Sequence, residues 1–484
     1  MTAKRPERKN PVRSFVISGK MEKVALLVLI FFFATSARNL LNRPLWFDEA
    51  LTVLNFALLD TPAKIYHSYI IPNNQIIHTI FLHWWIKYFS FDFLRLFPFI
   101  CGILTLFFLW QMRRRNGNIA TFIALSALAI SFPFAIYGTA LRGYMLAAMA
   151  VSGGVWMLSK YLDSGKAYFC AGWFVFSLLG VGTMPGTLAA LAAAVLYAAG
   201  FCNWQIFKKR RIYNAAVVPV LALVIFYGPI FKNVLRCAKL GEGWPNGSAM
   251  LLALAMGIVF TFLPVIPAAL AGSIRRHRIS PEIFHCLIWL LPIPAAYIFK
   301  AAPFPRVFFP MFPIFALLIA GGIKNFLALM RKKKGRKYAE KMFLVICFAT
   351  ILWGALGPIE SFRTKFSSLH PCPGGQEDFI DCHFVKKEFS PRETAAEFKK
   401  NFPDIPAVYA TFGSDPWALM YAFMENGIST RILFDGPAGK IPGIPPVAIK
   451  HLTENKRILE ERFQCHFQEV FSSVNHSVMV PVNE

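Results

Sequence analysis

Two adjacent carboxylates, Asp48 and Glu49, follow Leu45-Trp46-Phe47 just beyond the first long apolar run of the chain. Only ten acidic residues occur in the first 358 positions, so an acidic pair at the edge of an apolar segment is a functional-site candidate by default. Consecutive residues on a helix point about 100° apart, so the two cannot enter one cavity together. One would serve as base or ligand while the other binds or orients. The alternative is an interfacial acidic pair that marks the end of a span.

Cations recur at comparable places. Arg142 and Tyr144 follow a later apolar run, within Tyr137-Gly138-Thr139-Ala140-Leu141-Arg142-Gly143-Tyr144. Arg306 lies in Pro303-Phe304-Pro305-Arg306-Val307-Phe308-Phe309-Pro310, where the prolines fix a turn. An arginine at a membrane boundary is costly unless it meets an anion or snorkels to water, and its planar fork suits a phosphate. Lys300, at the end of another apolar run, either contacts a lipid phosphate or snorkels. Asn73, Asn74 and Gln75 cluster amides that would hydrogen-bond sugar hydroxyls or form a turn after Pro72. His78 and His83 are five residues apart, not the i, i+4 spacing of a metal-binding helix face, so an interfacial role outweighs a ligand pair.

These residues must be held by membrane helices. Of the 484 residues 56% are hydrophobic, and continuous apolar runs of bilayer-crossing length recur along most of the chain. The pattern is that of an all-α polytopic membrane protein rather than a β-barrel, whose strands would alternate. The formal charge of +25 does not indicate a nucleic-acid partner. Residues 359–484 carry 16 acids and 13 bases, leaving 10 acids and 38 bases for the rest, in short clusters between apolar runs. That is the positive-inside pattern of cytoplasmic loops. Lys4, Arg5, Arg8, Lys9 and Arg13 place the N-terminus in the cytoplasm, before a first span read as a retained anchor in the cell (inner) membrane.

Residues 42–92 then form a long external loop whose Ile76–Phe89 segment reads as an interfacial helix. With that choice, spans near 93–112, 119–137, 144–162, 167–183, 187–205, 213–230, 249–273, 282–300, 307–326 and 341–358 put every strong basic cluster inside, giving about eleven transmembrane helices. The division is a transmembrane domain over residues 1–358 and an extracytoplasmic α/β domain over 359–484. Strands are expected at Ala407–Phe412, Arg431–Phe434, Phe467–Phe471 and Ser477–Val482, and helices at Pro391–Lys400, Pro416–Met424 and Lys450–Phe463. Asp415-Pro416-Trp417 follows a strand without a glycine-rich phosphate loop, so this domain reads as scaffold or acceptor-binding. Cys372 and Cys382 would be able to pair outside the cytoplasm; most other cysteines lie in spans.

Together these features resemble the GT-C glycosyltransferases, of the polyprenyl-phosphate-sugar-dependent type related to protein mannosyltransferases and lipid A aminoarabinose transferases. The resemblance covers about residues 20–360. It rests on Trp46-Phe47-Asp48-Glu49, on Pro72-Asn73-Asn74-Gln75-Ile76-Ile77-His78, on Tyr137 to Arg142-Gly143-Tyr144, and on Arg306-Val307-Phe308-Phe309-Pro310. It implies inverting transfer of a sugar from a polyprenyl-phosphate donor to a protein, lipid or glycan acceptor at the membrane surface. Asp48 would be the general base, with Glu49 the substitute, and Arg142, Arg306 or Lys300 would neutralise the leaving phosphate. Trp46, Asn73, Asn74, Gln75, His78 and Tyr144 would contact sugar or acceptor. Relatives often carry His where Gln75 stands, and an acid shortly before Arg142, where this chain has Thr139-Ala140-Leu141. The missing acid disfavours a two-carboxylate metal site, so the expectation is metal-independent chemistry without a cofactor. A lipid or solute transporter is the runner-up, and a non-catalytic subunit of an envelope glycan assembly system the third reading.

Overall fold

The computed structural model describes residues 19–71, 74–200, 210–240, 247–273, 287–294, 305–356, 390–435, 443–473 and 476–482. Its first part is helical. Helix α1 (Gly19–Ala37) precedes α2 (Phe47–Thr52), α3 (Pro62–His67) and α4 (Ile76–Tyr88). Then come α5 (Leu96–Gln111), α6 (Asn118–Ile130), α7 (Phe132–Tyr137), α8 (Tyr144–Ser164), α9 (Ala167–Thr183) and α10 (Thr187–Gly200). They are followed by α11 (Arg210–Tyr227), α12 (Phe231–Leu240), α13 (Gly247–Phe262), α14 (Ile266–Ser273), α15 (Phe312–Lys334) and α16 (Arg336–Leu356).

This is a multi-pass membrane protein. Six helical segments among the described residues are long and apolar enough to cross a bilayer: Met21–Leu40, Phe91–Gln111, Tyr144–Ser164, Arg210–Cys237, Arg306–Lys334 and Arg336–Ala355. A seventh is added if Leu254–Phe262 and Ile266–Ser273, bent by 98°, count as one. Asn118–Ile130, Ala167–Thr183 and Thr187–Gly200 are shorter apolar helices. Some of the apolar runs are broken within their length. The run 119–137, for instance, divides at Ser131, whose side chain caps α7 by accepting the Phe134 N–H at 3.3 Å. Pro133 there has no N–H to continue the preceding helix, and its fixed φ suits the first turn of the next one. Most of the run 282–300 lies outside the described residues, as do Cys372 and Cys382.

Burial divides the bundle into an inner and an outer set. Along α8 nearly every residue is enclosed, and α15 is enclosed from Phe312 to Ala320. By contrast Leu27 and Phe31 of α1 and Phe348 of α16 are 64%, 63% and 70% exposed. Large apolar side chains so open to their surroundings need a hydrocarbon solvent. The ends of the helices are chemically distinct as well. Helix α8 runs from Tyr144, beside Arg142, to Asp163, which pairs with Arg115 at 2.6 Å. Glu22 of α1 pairs with Arg113 at 2.6 Å and the Lys324 Nζ donates to the Arg115 carbonyl at 2.8 Å, so Arg113–Arg115 and Lys324 lie at the end remote from Arg142. A 21-residue helix spans roughly 32 Å, about the hydrocarbon thickness of a bilayer.

The C-terminal part is a small α/β sheet domain. It comprises α17 (Pro391–Asn401), β1 (Ala407–Ala410), α18 (Pro416–Glu425), β2 (Arg431–Leu433), β3 (Ala448–His451), α19 (Arg457–Phe463), β4 (His466–Ser472) and β5 (His476–Val482). Strand order is β2-β1-β3-β5-β4; β1 pairs in parallel with β2 and β3, and β5 pairs antiparallel with β3 and β4. The helix expected over 450–463 begins only at Arg457. Val447, Ala448 and Ile449 are fully buried and are drawn into the sheet as β3. The Lys450 ammonium then donates to the carbonyls of His451 and Glu454 at 3.3 and 2.8 Å.

Candidate active site

The acidic pair opens α2. Glu49, the third residue of the helix, turns back and accepts the Trp46 N–H at 3.4 Å, a cap that fixes the helix start. It is wholly buried and meets Arg95 through two bonds, Nη1 to Oε1 at 2.9 Å and Nη2 to Oε2 at 2.8 Å. The Leu141 N–H adds a bond at 2.9 Å, and Arg43 approaches at 3.5 Å. Burial alone would raise its pKa, but the charges of Arg95 and Arg43 and these hydrogen bonds hold the carboxyl below its usual range. Arg95 also donates to the carbonyls of Arg43, Pro44 and Thr139 at 3.2, 3.0 and 2.7 Å. Glu49 and Arg95 thereby clamp three stretches of chain together. Arg43 and Arg95 were not singled out in the sequence; the one signal was an arginine closing the long loop just before an apolar run.

Asp48 leaves α2 in another direction and meets the other two arginines. Its Oδ2 is 3.6 Å from Arg306 Nη2 and 3.9 Å from Arg142 Nη2. Arg306 Nε donates to the Tyr144 hydroxyl at 3.1 Å, and its guanidinium carbon is 6.0 Å from the Trp46 ring. Arg142 lies 5.9 Å from the Tyr144 ring and donates to Thr52 Oγ1 at 3.3 Å. Both arginines are buried. Five residues, Trp46, Asp48, Arg142, Tyr144 and Arg306, thus converge from segments up to 260 positions apart. Two guanidiniums directed at one carboxylate make a setting that suits an anionic ligand.

The amide cluster serves mostly to shape this wall. Asn74 donates to the carbonyls of Ile65 and Ser68 at 3.1 and 3.2 Å, closing the turn after α3. Gln75 Oε1 accepts the Gly143 N–H, a contact that a side chain at 143 would obstruct, and so ties the start of α4 to the Arg142 loop. His78 is completely buried, with its ring 5.5 Å from that of Phe97. Burial, and then the Arg142 charge, push its pKa down to about 3, so the ring is neutral. His83 is elsewhere, its Nδ1 2.9 Å from the Ala57 carbonyl. Asn73 and Lys300 lie outside the described residues. Among the described residues no three His, Cys, Asp or Glu side chains gather as a metal site.

The C-terminal domain is docked onto the same loop. Tyr421 of α18 shares a buried cluster with Leu45, Ala50, Val53, Leu82, Leu94 and Leu141. Phe412 packs edge-on against Phe47 at 5.9 Å, Phe91 against Tyr421 at 6.5 Å, and Arg392 donates to the Asn42 carbonyl at 3.2 Å. The α2 turn is therefore held between the helical bundle and the sheet domain.

By sequence, no family model and no curated protein matches the chain. Solved structures do match. ArnT from Cupriavidus metallidurans in the apo state superposes with a TM-score of 0.54, over 95% of this chain and 97% of that one, at 12% identity. The structure of ArnT bound to undecaprenyl phosphate gives 0.56 over 96% and 98%, at 13% identity. The chain has the fold of ArnT. The match spans the sheet domain as well as the helices, so the likeness of fold extends over the whole architecture.

Proposed function

We propose that this protein is a membrane glycosyltransferase that moves a sugar from a polyprenyl phosphate to an acceptor hydroxyl with inversion. The observation that carries this reading is the convergence of Asp48, Arg142, Arg306, Tyr144 and Trp46 at one end of the bundle. The ArnT fold and its undecaprenyl phosphate complex support it.

Each residue has a role that its surroundings suit. Asp48 takes the proton of the acceptor hydroxyl as that oxygen attacks the anomeric carbon. The bond from this carbon to the phosphate oxygen breaks on the opposite face, and the electron pair leaves with the lipid phosphate. Arg142 and Arg306 receive the developing charge, with Lys300 as a further donor. Trp46 and Tyr144 flank the arginines and provide ring faces for the sugar, and recognition of sugar or acceptor is assigned further to Asn73, Asn74, Gln75 and His78. Glu49, committed to Arg95, holds the site's backbone. No metal or other cofactor is invoked. The donor's apolar tail requires the site to lie at a membrane surface.

The same reading sets the topology. The basic clusters at the remote bundle end face the cytoplasm with the N-terminus, and the site and the sheet domain, residues 359–484, face outward from the inner membrane. About eleven helices cross, with α2–α4 at the interface. Acceptor classes remain protein, lipid and glycan.

The test is direct. Purified protein in lipid nanodiscs is offered undecaprenyl phosphate, and outer-surface glycans are compared by mass spectrometry with and without the gene. Binding weakened at least tenfold in Arg142→Ala and Arg306→Ala, together with a glycan lost on deletion and not restored by Asp48→Asn, is the expected result. Unchanged glycans on deletion would refute the transferase reading.

A further inference from the structure

Asp48 and Thr52 stand four positions apart on α2 and so share one face of the helix. Thr52 closes the helix and is buried. Its hydroxyl donates to the Asp48 carbonyl at 2.7 Å. A threonine hydroxyl has one proton and two lone pairs, so an oxygen whose proton is committed in this way can only accept from whatever else it meets. It meets Arg142. The Arg142 Nη1 donates to Thr52 Oγ1 at 3.3 Å and lies 3.5 Å from the Asp48 carbonyl, while Nη2 is 3.9 Å from the Asp48 carboxylate. Thr52 therefore fixes one amino group of the guanidinium and turns the other toward the proposed base.

The Arg142 loop is held at three successive residues by three side chains of the long 42–92 segment. Glu49 accepts the Leu141 N–H at 2.9 Å, Thr52 accepts from the Arg142 guanidinium, and Gln75 accepts the Gly143 N–H. The first and third act on the backbone and set where the arginine side chain starts. Thr52 acts on the far end of that side chain and sets where it finishes. Local backbone geometry changes at the same point. Beyond Thr52 the chain continues as a wider π-helical turn, Val53–Ala57, in which the Leu58 N–H reaches back to the Val53 carbonyl at 3.1 Å. A hydroxyl bonded to the carbonyl four residues earlier competes with a regular helical ladder, and π turns are frequent at functional sites.

We propose that Thr52 is a positioning residue for the leaving phosphate, holding the Arg142 guanidinium in the orientation that receives it. This rests on the transferase reading given above. When the sugar departs, the lipid phosphate gains negative charge. A guanidinium already aimed at that charge stabilises it more than one that must first be turned. Valine at position 52 has the shape of threonine without the hydroxyl, so it removes this acceptor while keeping the packing. Serine keeps the hydroxyl and loses the methyl group.

Undecaprenyl phosphate is the probe, because it carries the phosphate as it would leave the sugar. Its affinity is measured on the full chain in nanodiscs for wild type, Thr52→Val, Thr52→Ser, Arg142→Ala and the double variant Thr52→Val/Arg142→Ala. Thr52→Val is expected to bind about three- to tenfold more weakly than wild type, and Thr52→Ser within about twofold of it. In the Arg142→Ala background Thr52→Val should add less than about twofold, because the group it orients is gone. A threonine that merely supports the fold would cost the same in both backgrounds. Wild-type affinity in Thr52→Val, no rescue by Thr52→Ser, or an equal loss with and without Arg142 would each overturn the proposal alone. A wild type that does not bind undecaprenyl phosphate would overturn the transferase reading and this proposal with it.

Discussion

At the first turn of α2 two neighbouring carboxylates meet opposite surroundings. Glu49 is sealed from solvent, gripped by Arg95 through two short bonds and by the Leu141 amide. Asp48 faces Arg142 and Arg306 at 3.9 and 3.6 Å, longer than the 2.7–2.9 Å typical of a direct charge-assisted bond. The first arrangement is a finished structural joint. The second is an electrostatic cluster around a carboxylate that keeps some access to its surroundings. One residue step, about 100° of helix, separates a residue that builds the site from one proposed to act in it.

The comparison breaks most visibly at Glu49. Glu49→Ala leaves the buried Arg95 charge uncompensated and is expected to cost about 3–5 kcal/mol, read as a lower thermal midpoint and poor recovery from membranes. A midpoint within a degree of wild type would show that the clamp carries no load. Next in size are the arginines facing Asp48. Arg306→Ala or Arg142→Ala should lower transfer by about 10²–10³-fold with a near-wild-type midpoint, as loss of one charge-stabilising donor does elsewhere.

A pH titration of stability sharpens the contrast further. The folded-state pKa of Glu49 lies below its unfolded value, so its stabilisation is present above the ordinary carboxylate range and is lost as pH falls below about 4.3. The acid limb of a thermal-midpoint titration should therefore flatten in Glu49→Gln. The smallest effect belongs to the domain contact. Phe412→Ala removes one edge-on ring pair with Phe47 and should cost about 0.5–1.5 kcal/mol, seen as faster proteolysis between the two parts.

Much of this was legible in the chain. Apolar run length gave a multi-pass helical protein, and strand alternation gave four of the five strands of the tail. The 100° step between neighbouring helical residues already separates the two acids in the sequence, because helix geometry is local. What sequence could not provide was partnership at a distance. Arg95 becomes the partner of Glu49 only when residues 46 positions apart meet, and no local pattern marks it. Lys450 looked helical until Val447, Ala448 and Ile449 were seen to fill the sheet core. The break at Ser131 leaves no mark in apolar content, which continues across it.

The most direct test of the account is a paired measurement on Asp48→Asn and Glu49→Gln, each assayed for sugar transfer from a polyprenyl-phosphate donor and for thermal unfolding in the same nanodiscs. The account predicts that Asp48→Asn unfolds like wild type yet transfers about 10²–10⁴-fold more slowly, as expected on loss of a general base. It predicts that Glu49→Gln loses stability first and activity in proportion. Wild-type transfer by Asp48→Asn, with the loss of chemistry falling on a stably folded Glu49→Gln, would contradict it.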